Sequence, residues 1–502
     1  MNYQSTRNST ISISAAQAIV QGISAEGGLF VPEQLPRLTY ADLCALKEQD
    51  YVTRAEMIMK KFLTDFSAER IRFITQQAYT AEKFETDAIA PLKPVGDNTH
   101  VLELWHGPTC AFKDMALQML PHLMTASMEI TGSDQTIIIL VATSGDTGKA
   151  ALEGFKDVDK TKILVFYPEN GVSAMQKLQM NTQEGENVAV CAIQGNFDDA
   201  QTGVKKMFLD REIGARLEAG KMQFSSANSI NWGRLLPQIV YYISAYCDLM
   251  NTGKIGRDEE INVVVPTGNF GNILAAYYAK KMDLPIQKLI CASNRNNILT
   301  DFLRTGIYDR NRDFHTTISP SMDILISSNL ERLIYDLSGC DDQKVSAWMK
   351  QLSETGRYEV DDSVKAQLAE IFYSGCCDDD QTVQTIHDTF ETENYLVDTH
   401  TAVAFHVYEQ YKKDTGDRST PAVLASTASP YKFADSVLSA VAGDDYTGLA
   451  EQDDFQKIAT LSTLTSTAIP APIAALSKSK VRFERVCTQE TMKDTVFSML
   501  EL

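Results

Sequence analysis

Residues 136–142, Thr-Ile-Ile-Ile-Leu-Val-Ala, are apolar at every position after the first. A strand with one wet face alternates apolar and polar side chains, so an unbroken apolar run must be covered on both faces. Residues 162–167, 188–193, 261–265 and 288–292 are further short apolar runs, each followed by a segment with helical character. Strands of this kind spaced by helices predict an α/β fold of parallel sheets flanked by helices. Residues 421–426 return to the same strand pattern.

The chain has 502 residues, enough for two or three domains. Residues 1–95 read as a small N-terminal domain: 14–23 and 68–79 carry helical periodicity, and Gly27-Gly28 turns into a short strand. Residues 96–445 read as the main α/β domain, within which 340–395 is acidic and is expected to be a helical auxiliary region. Residues 446–502 form a C-terminal segment, Ser/Thr/Ala/Pro-rich over 460–477 and then strand and helix.

The charge balance, −20 at pH 7, argues against nucleic acid or an anionic membrane as partner. No run of 18 uncharged apolar residues occurs, and the start Met-Asn-Tyr-Gln-Ser-Thr-Arg lacks a basic stretch leading into an apolar one. Neither a membrane span nor a secretory signal is expected. The nine cysteines are scattered without a Cys-x-x-Cys, which reads as reduced cytoplasmic thiols with no metal and no disulfide framework.

Four segments could carry chemistry. In Leu102 to Asp114 (Leu-Glu-Leu-Trp-His-Gly-Pro-Thr-Cys-Ala-Phe-Lys-Asp) a strand over 101–104 turns at Gly107-Pro108 and meets a helix-like run over 115–124. An amine at such a junction, behind an aromatic, can be partly desolvated and become nucleophilic. Most lysines are solvated surface charges, so Lys113 alone decides nothing. Val265 to Asn272 joins a strand to a helix through Gly268 and Gly271, and the first amides of that helix make a natural phosphate cradle; an isolated Gly-x-x-Gly is more often a plain turn. Thr143 to Lys149 (Thr-Ser-Gly-Asp-Thr-Gly-Lys) is a second strand–loop–helix anion site. It lacks the first Gly and the final Ser or Thr of an ATP-binding P-loop, so ATP is rejected. Asn228 to Arg234 leads amides and a guanidinium into a helix, and Arg grips phosphates by paired hydrogen bonds; an N-cap with a surface Arg reads equally well.

The string His-Gly-Pro-Thr-x-Ala-Phe-Lys-Asp resembles threonine synthase, a pyridoxal-phosphate enzyme of the tryptophan-synthase-β-like class. Blocks at 22–32, 143–148, 228–234, 266–272 and 426–433 match the same family in the same order. The resemblance implies fold type II: two catalytic subdomains with parallel sheets, plus a small N-terminal domain. It implies pyridoxal 5'-phosphate held on Lys113 as a Schiff base, its phosphate in the loop Gly268, Asn269, Phe270, Gly271 and Asn272, and Thr427 at the pyridine nitrogen. Ser144, Gly145, Asp146 and Thr147 would meet the substrate, with Asn228 and Arg234 for its phosphate and Lys149 next in line. Many relatives of the wider class carry Asn where Asp146 stands, near the cofactor's phenolic oxygen; a carboxylate there is unfavourable unless it shares a proton or turns away. Ser429 stands where the family usually has His.

The implied reaction is the last step of threonine biosynthesis. O-phospho-L-homoserine and water become L-threonine and phosphate by γ-elimination and β-addition of water, without a metal. A threonine dehydratase or phosphohydroxy-amino-acid lyase of the same fold is one alternative, and a regulatory paralogue is another. Monomer and homodimer stay open.

Overall fold

The structure is a computed structural model that describes all residues except Ser144, Gly171 and Leu502, and the side chains of Asp198 and Leu209. Two parallel sheets dominate it. The larger has six strands in the order Phe372–Cys376, Ile286–Ser293, Ile261–Pro266, Ala422–Ser426, Thr99–Glu103, Leu92–Pro94, parallel throughout except for the last pair. The smaller is wholly parallel, in the order Val486–Cys487, Val188–Ile193, Thr161–Pro168, Thr136–Ala142, Met222–Ser225. An antiparallel three-stranded sheet, Asn8–Ile13, Tyr3–Ser5 and Phe30–Pro32, opens the chain.

The expectation of two-sided burial holds side chain by side chain. Ile137, Ile139 and Val141 enter the main core, while Ile138, Leu140 and Ala142 enter a second core on the opposite face of the smaller sheet. Val263 and Val265 likewise part from Val264. A period of two divides each strand between two cores.

Two expectations change. The run 115–124 is not one helix: Asp114–Leu117 ends and Leu120–Thr131 begins anew. Pro121 lies in the first turn of the second helix, where a missing N–H costs nothing and the ring blocks continuation from the turn before. Residues 340–395 are largely helical, yet they also supply Phe372–Cys376, the strand that closes one edge of the larger sheet against Ile286–Ser293. That region is therefore hydrogen-bonded into the sheet rather than merely resting on it. No helix among the described residues is long and apolar enough to cross a membrane.

Candidate active site

Parallel α/β sheets collect ligands beyond the carboxyl ends of their strands. The four segments singled out above all leave such ends. Thr99–Glu103 and Ile261–Pro266 of the larger sheet run into the Lys113 turn and the Gly268 loop. Thr136–Ala142 and Met222–Ser225 of the smaller sheet run into the Thr143 loop and the Asn228–Arg234 segment. Ala422–Ser426 of the larger sheet adds Thr427.

The Lys113 turn and the Thr427 segment are sewn together. Leu104 N–H donates to Ser426 O at 3.0 Å, Phe112 N–H to Thr427 O at 2.8 Å and Ser429 N–H to Cys110 O at 3.0 Å, and Ala111 bridges Ala428. Asp114 holds the turn from inside, accepting from Thr109 N–H at 2.8 Å and Thr109 Oγ1 at 2.7 Å. It lies so close to Gly107 that a Cβ there would sit 2.6 Å from Asp114 Cβ, which is why the turn needs glycine.

Lys113 is half-buried as a residue, but its amine is deep. It lies 4.5 Å from the Phe112 ring centroid and has no hydrogen bond or ion pair to any described residue. Loss of water, then the positive charge of Arg234, pull its pKa down to about 7, with Asp146 opposing and Lys432 assisting. Such an amine is neutral in a large share of molecules near pH 7, as a nucleophile must be.

In the second loop, Thr143 Oγ1 accepts from Gly145 N–H at 3.0 Å and Gly148 N–H at 2.9 Å, which coils the segment into the helix Asp146–Phe155. Gly145 has φ 134°, a region that excludes most side chains. Ser144 lies outside the described residues, and Thr147 is half-buried on the first turn. Asp146 is buried and turned into an ion pair with Lys432 at 2.6 Å, with Gln176 Nε2 donating to the same oxygen at 2.9 Å. Burial works against its charge, but Lys432 and Gln176 prevail and hold it down at about 2. Asp146 is thus a carboxylate already satisfied by the protein. Lys149 points elsewhere, to Glu153 at 3.1 Å and Gln183 at 2.5 Å.

The Gly268 loop enters the helix Gly271–Lys281 through Phe270, which is left-handed at φ 63° and buried. No side chain caps this helix, so its first amides and the positive end of its dipole remain for a ligand. Asn272 is buried, its Oδ1 taken by the hydroxyls of Tyr241 and Tyr242, while its Nδ2 has no partner among the described residues. Gly268 is required for a reason the sequence did not offer. A Cβ there would come within 2.5 Å of the Ser321 carbonyl, because residues 317–329 fold over the loop and tie to it through Ser327 Oγ to Gly268 O (2.8 Å) and Asn329 N–H to Asn269 O (3.1 Å).

Arg234 is 3% exposed, donates through Nη1 to Ala227 O at 2.6 Å and leaves Nε without a partner. No carboxylate among the described residues pairs with it. A buried, unpaired guanidinium is costly unless an anion is supplied, so this corner is built for an anionic ligand. Asn228, half-buried beside it, has a side-chain amide free of described partners. Arg332, which sequence reasoning missed, braces the segment by donating to Ile230 O at 2.6 Å and to Phe30 O at 3.0 Å.

Comparison with known proteins fits this geometry. Three family models tile the chain: "Threonine synthase N terminus" over 2–79, "Pyridoxal-phosphate dependent enzyme" over 91–375 and "Threonine synthase, C-terminal" over 401–496. Threonine synthase of Pseudomonas aeruginosa is 38% identical over 440 residues, 87% of this chain and 90% of that protein. The chain belongs to the threonine synthase family. A crystal structure titled as pyridoxal-phosphate-bound threonine synthase from Brucella melitensis superposes with a TM-score of 0.86 at 34% identity, covering 100% of this chain and 99% of that one. Human threonine synthase-like 1 is 40% identical over 85% of this chain, but the chain spans only 58% of that relative's length.

The residues present fit the cofactor that the family uses. An unpartnered amine of lowered pKa, an uncapped helix start, the free Asn272 amide and the Thr427 hydroxyl, which engages no described residue, lie on loops at adjoining strand ends of one sheet. Ser429, standing where the family usually has His, is buried and caps the turn Pro430–Phe433 by accepting from Tyr431 N–H at 3.4 Å. His106 is bound to Glu103 at 2.8 Å and stacked on Trp105; despite burial, Glu103 and Glu85 raise its pKa. His400 accepts from Ser321 N–H at Nε2 (3.1 Å) and faces Asp398 through Nδ1 at 2.9 Å, which assigns the Nδ1–H tautomer and a role in holding the loop over Gly268. Lys432 was visible in the sequence only as part of a matched block. A lysine in the otherwise apolar run Pro-Tyr-Lys-Phe-Ala was the available signal.

Proposed function

We propose that this chain converts O-phospho-L-homoserine and water into L-threonine and phosphate, with pyridoxal 5'-phosphate carried on Lys113. The observation that bears most weight is the Lys113 amine, free of partners and lowered to about 7, beside Thr427 and the uncapped helix Gly271–Lys281. When bound, the cofactor supplies the electron sink that makes carbon acids beside the substrate's amino group acidic. The rest is work for the protein. Backbone amides of Gly268 to Asn272 hold the cofactor phosphate. Those of Gly145 to Thr147, with the Ser144 and Thr147 hydroxyls, grip the substrate carboxylate. Arg234 and Asn228 take the substrate phosphate, which neutralises the buried guanidinium. The Lys113 amine, once released, would take the proton from Cα and carry the one from Cβ to Cγ, which phosphate leaves; water then adds at Cβ and a proton returns to Cα. The Thr427 hydroxyl meets the ring nitrogen without obliging it to stay protonated, as an aspartate would.

The partner is a small phosphorylated amino acid rather than nucleic acid, consistent with the charge of −20. Nine free cysteines suit a reducing, cytoplasmic setting, as monomer or homodimer. The test is to supply phosphohomoserine without added metal or ATP and to measure threonine and phosphate together. Equal release of both supports the reading. Keto acid as the main product replaces it with a dehydratase, and no turnover by the cofactor-loaded protein replaces it with a regulator.

A further inference from the structure

Two lysines stand near one buried carboxylate. Asp146, at the start of the helix Asp146–Phe155, is held by Lys432 at 2.6 Å and by Gln176 Nε2 at 2.9 Å. Lys432 is completely buried and also donates to Thr109 O at 3.0 Å. Thr109 is fixed to Asp114, the residue next to Lys113. Lys432 is thus pinned between the turn that carries the amine and the loop that carries the carboxylate. Lys113 has the same charge when protonated, yet no hydrogen bond or ion pair to any described residue, only the Phe112 ring at 4.5 Å.

We propose that Lys432 is a positioning residue: by occupying Asp146 it denies the Lys113 amine a carboxylate, and so keeps that amine free to react. Every charged group known to face the amine fits this account. Arg234 from the helix Trp232–Asn251 and Lys432 from the turn Pro430–Phe433 repel a protonated amine, and only Asp146 attracts it. Asp146 faces Lys432, Gln176 from the helix Ala174–Asn181 and His400 from the helix Thr399–Thr415; Lys432 also faces Asp114 and Cys110. Without Lys432, Asp146 would be a buried carboxylate with one amide donor, facing the Lys113 amine and the His400 ring. Charge of this kind is not left unpaired when a partner is in reach. The capture would protonate the amine at the pH where it must be neutral.

The inference rests on Lys113 as the reactive amine, so the experiment separates the two claims. The cofactor-free protein is labelled with trace acetic anhydride across a range of pH, and the Lys113 peptide is followed by mass spectrometry. In the unaltered protein the labelling midpoint should lie near 7. Lys432→Gln keeps a donor for Thr109 and Asp146 and removes only the charge. Its midpoint should rise by about 1 to 3 pH units, the usual effect of a close opposite charge, with labelling at pH 7 down at least about fivefold. Lys432→Arg should restore the original midpoint, and Asp146→Asn combined with Lys432→Gln should bring it back toward 7. Should Lys432→Gln not fold, Lys432→Met reads the same shift. A Lys113 midpoint near 7 in the unaltered protein that does not move in the charge-removing variant overturns the role of Lys432. A Lys113 that labels like an ordinary surface lysine in the unaltered protein overturns instead the choice of reactive amine.

Discussion

The two walls of the candidate site come from different sheets and are built on different rules. Every residue assigned to the cofactor, Lys113, Gly268 to Asn272 and Thr427, lies on a loop leaving the larger sheet. Every residue assigned to the substrate, Ser144 to Thr147, Asn228 and Arg234, follows a strand of the smaller one. The larger-sheet wall is fixed by long-range hydrogen bonds to backbone carbonyls: 110–112 to 427–429 through the backbone, and 268–269 to the Ser327 hydroxyl and the Asn329 N–H. In the smaller-sheet wall, the Thr143 loop has its backbone coiled by its own neighbour Thr143, which holds Gly145 and Gly148, while its distant ties run through the Asp146 side chain to Lys432 and Gln176, and Arg234 keeps an unsatisfied nitrogen. A permanent ligand needs a preformed seat, whereas a ligand that comes and goes needs groups left wanting. The two glycine loops look alike in sequence but serve these different ends.

The largest effect should come from Lys113→Ala. Assistance by one general acid–base group is worth about 10²–10⁴ in rate, and the proposed reaction uses Lys113 at more than one step, so turnover should fall at least that far while phosphohomoserine still binds. Stopped-flow phosphate release and equilibrium binding check both halves. Turnover within tenfold of the unaltered enzyme would hand the proton work to another residue.

Gly268→Val drives a side chain into the Ser321 carbonyl. Overpacking of this sort costs about 1–3 kcal/mol, and pyridoxal phosphate should be lost on dialysis with an affinity at least about fivefold weaker. Full retention would show that the loop over Gly268 yields easily and that the wall is less rigid than drawn.

Arg234→Lys keeps a charge and loses the fork. Forfeiting one charge-assisted hydrogen bond, about 1.5–3 kcal/mol, should raise KM for phosphohomoserine roughly ten- to a hundredfold and leave cofactor content intact. Loss of cofactor in this variant would break the division between the walls.

The smallest effect is on pH dependence. With the Lys113 amine lowered to about 7 by burial and by Arg234, the neutral form dominates above that pH and falls about tenfold per unit below it. Uptake of pyridoxal phosphate by the cofactor-free protein should therefore be flat above pH 8 and decline on the acid side of 7. A limb near 10 would mean that the amine is solvated.

Much of the larger-sheet wall was legible because its chemistry is carried by contiguous strings. Lys113 announces itself through the turn that precedes it, and Thr427 through the apolar strand that ends beside it. What stayed hidden depends on partners far apart in the chain. Lys432 and Asp146 meet across 286 positions of sequence, and nothing local marks either as half of a pair. The cover over Gly268 comes from residues 317–329, a stretch without periodicity. The edge strand Phe372–Cys376 contains Ser374 and Gly375 and sits between two helices, so its strand character comes from Ile286–Ser293 alongside and not from its own composition.

The backbone bonds joining residues 110–112 to 427–429 have a mechanical consequence. They make the backbones that carry Lys113 and Thr427 parts of one rigid piece, set in their relative places when the chain folds. No hinge can open between them without breaking Phe112 N–H to Thr427 O and Ser429 N–H to Cys110 O together. Any breathing of the site as ligands enter and leave must then keep the spacing of the Lys113 and Thr427 segments, and the Asp146–Lys432 pair ties the Thr143 loop to the same piece. The site is a vice with one fixed jaw, and the amine proposed to react grows from that jaw.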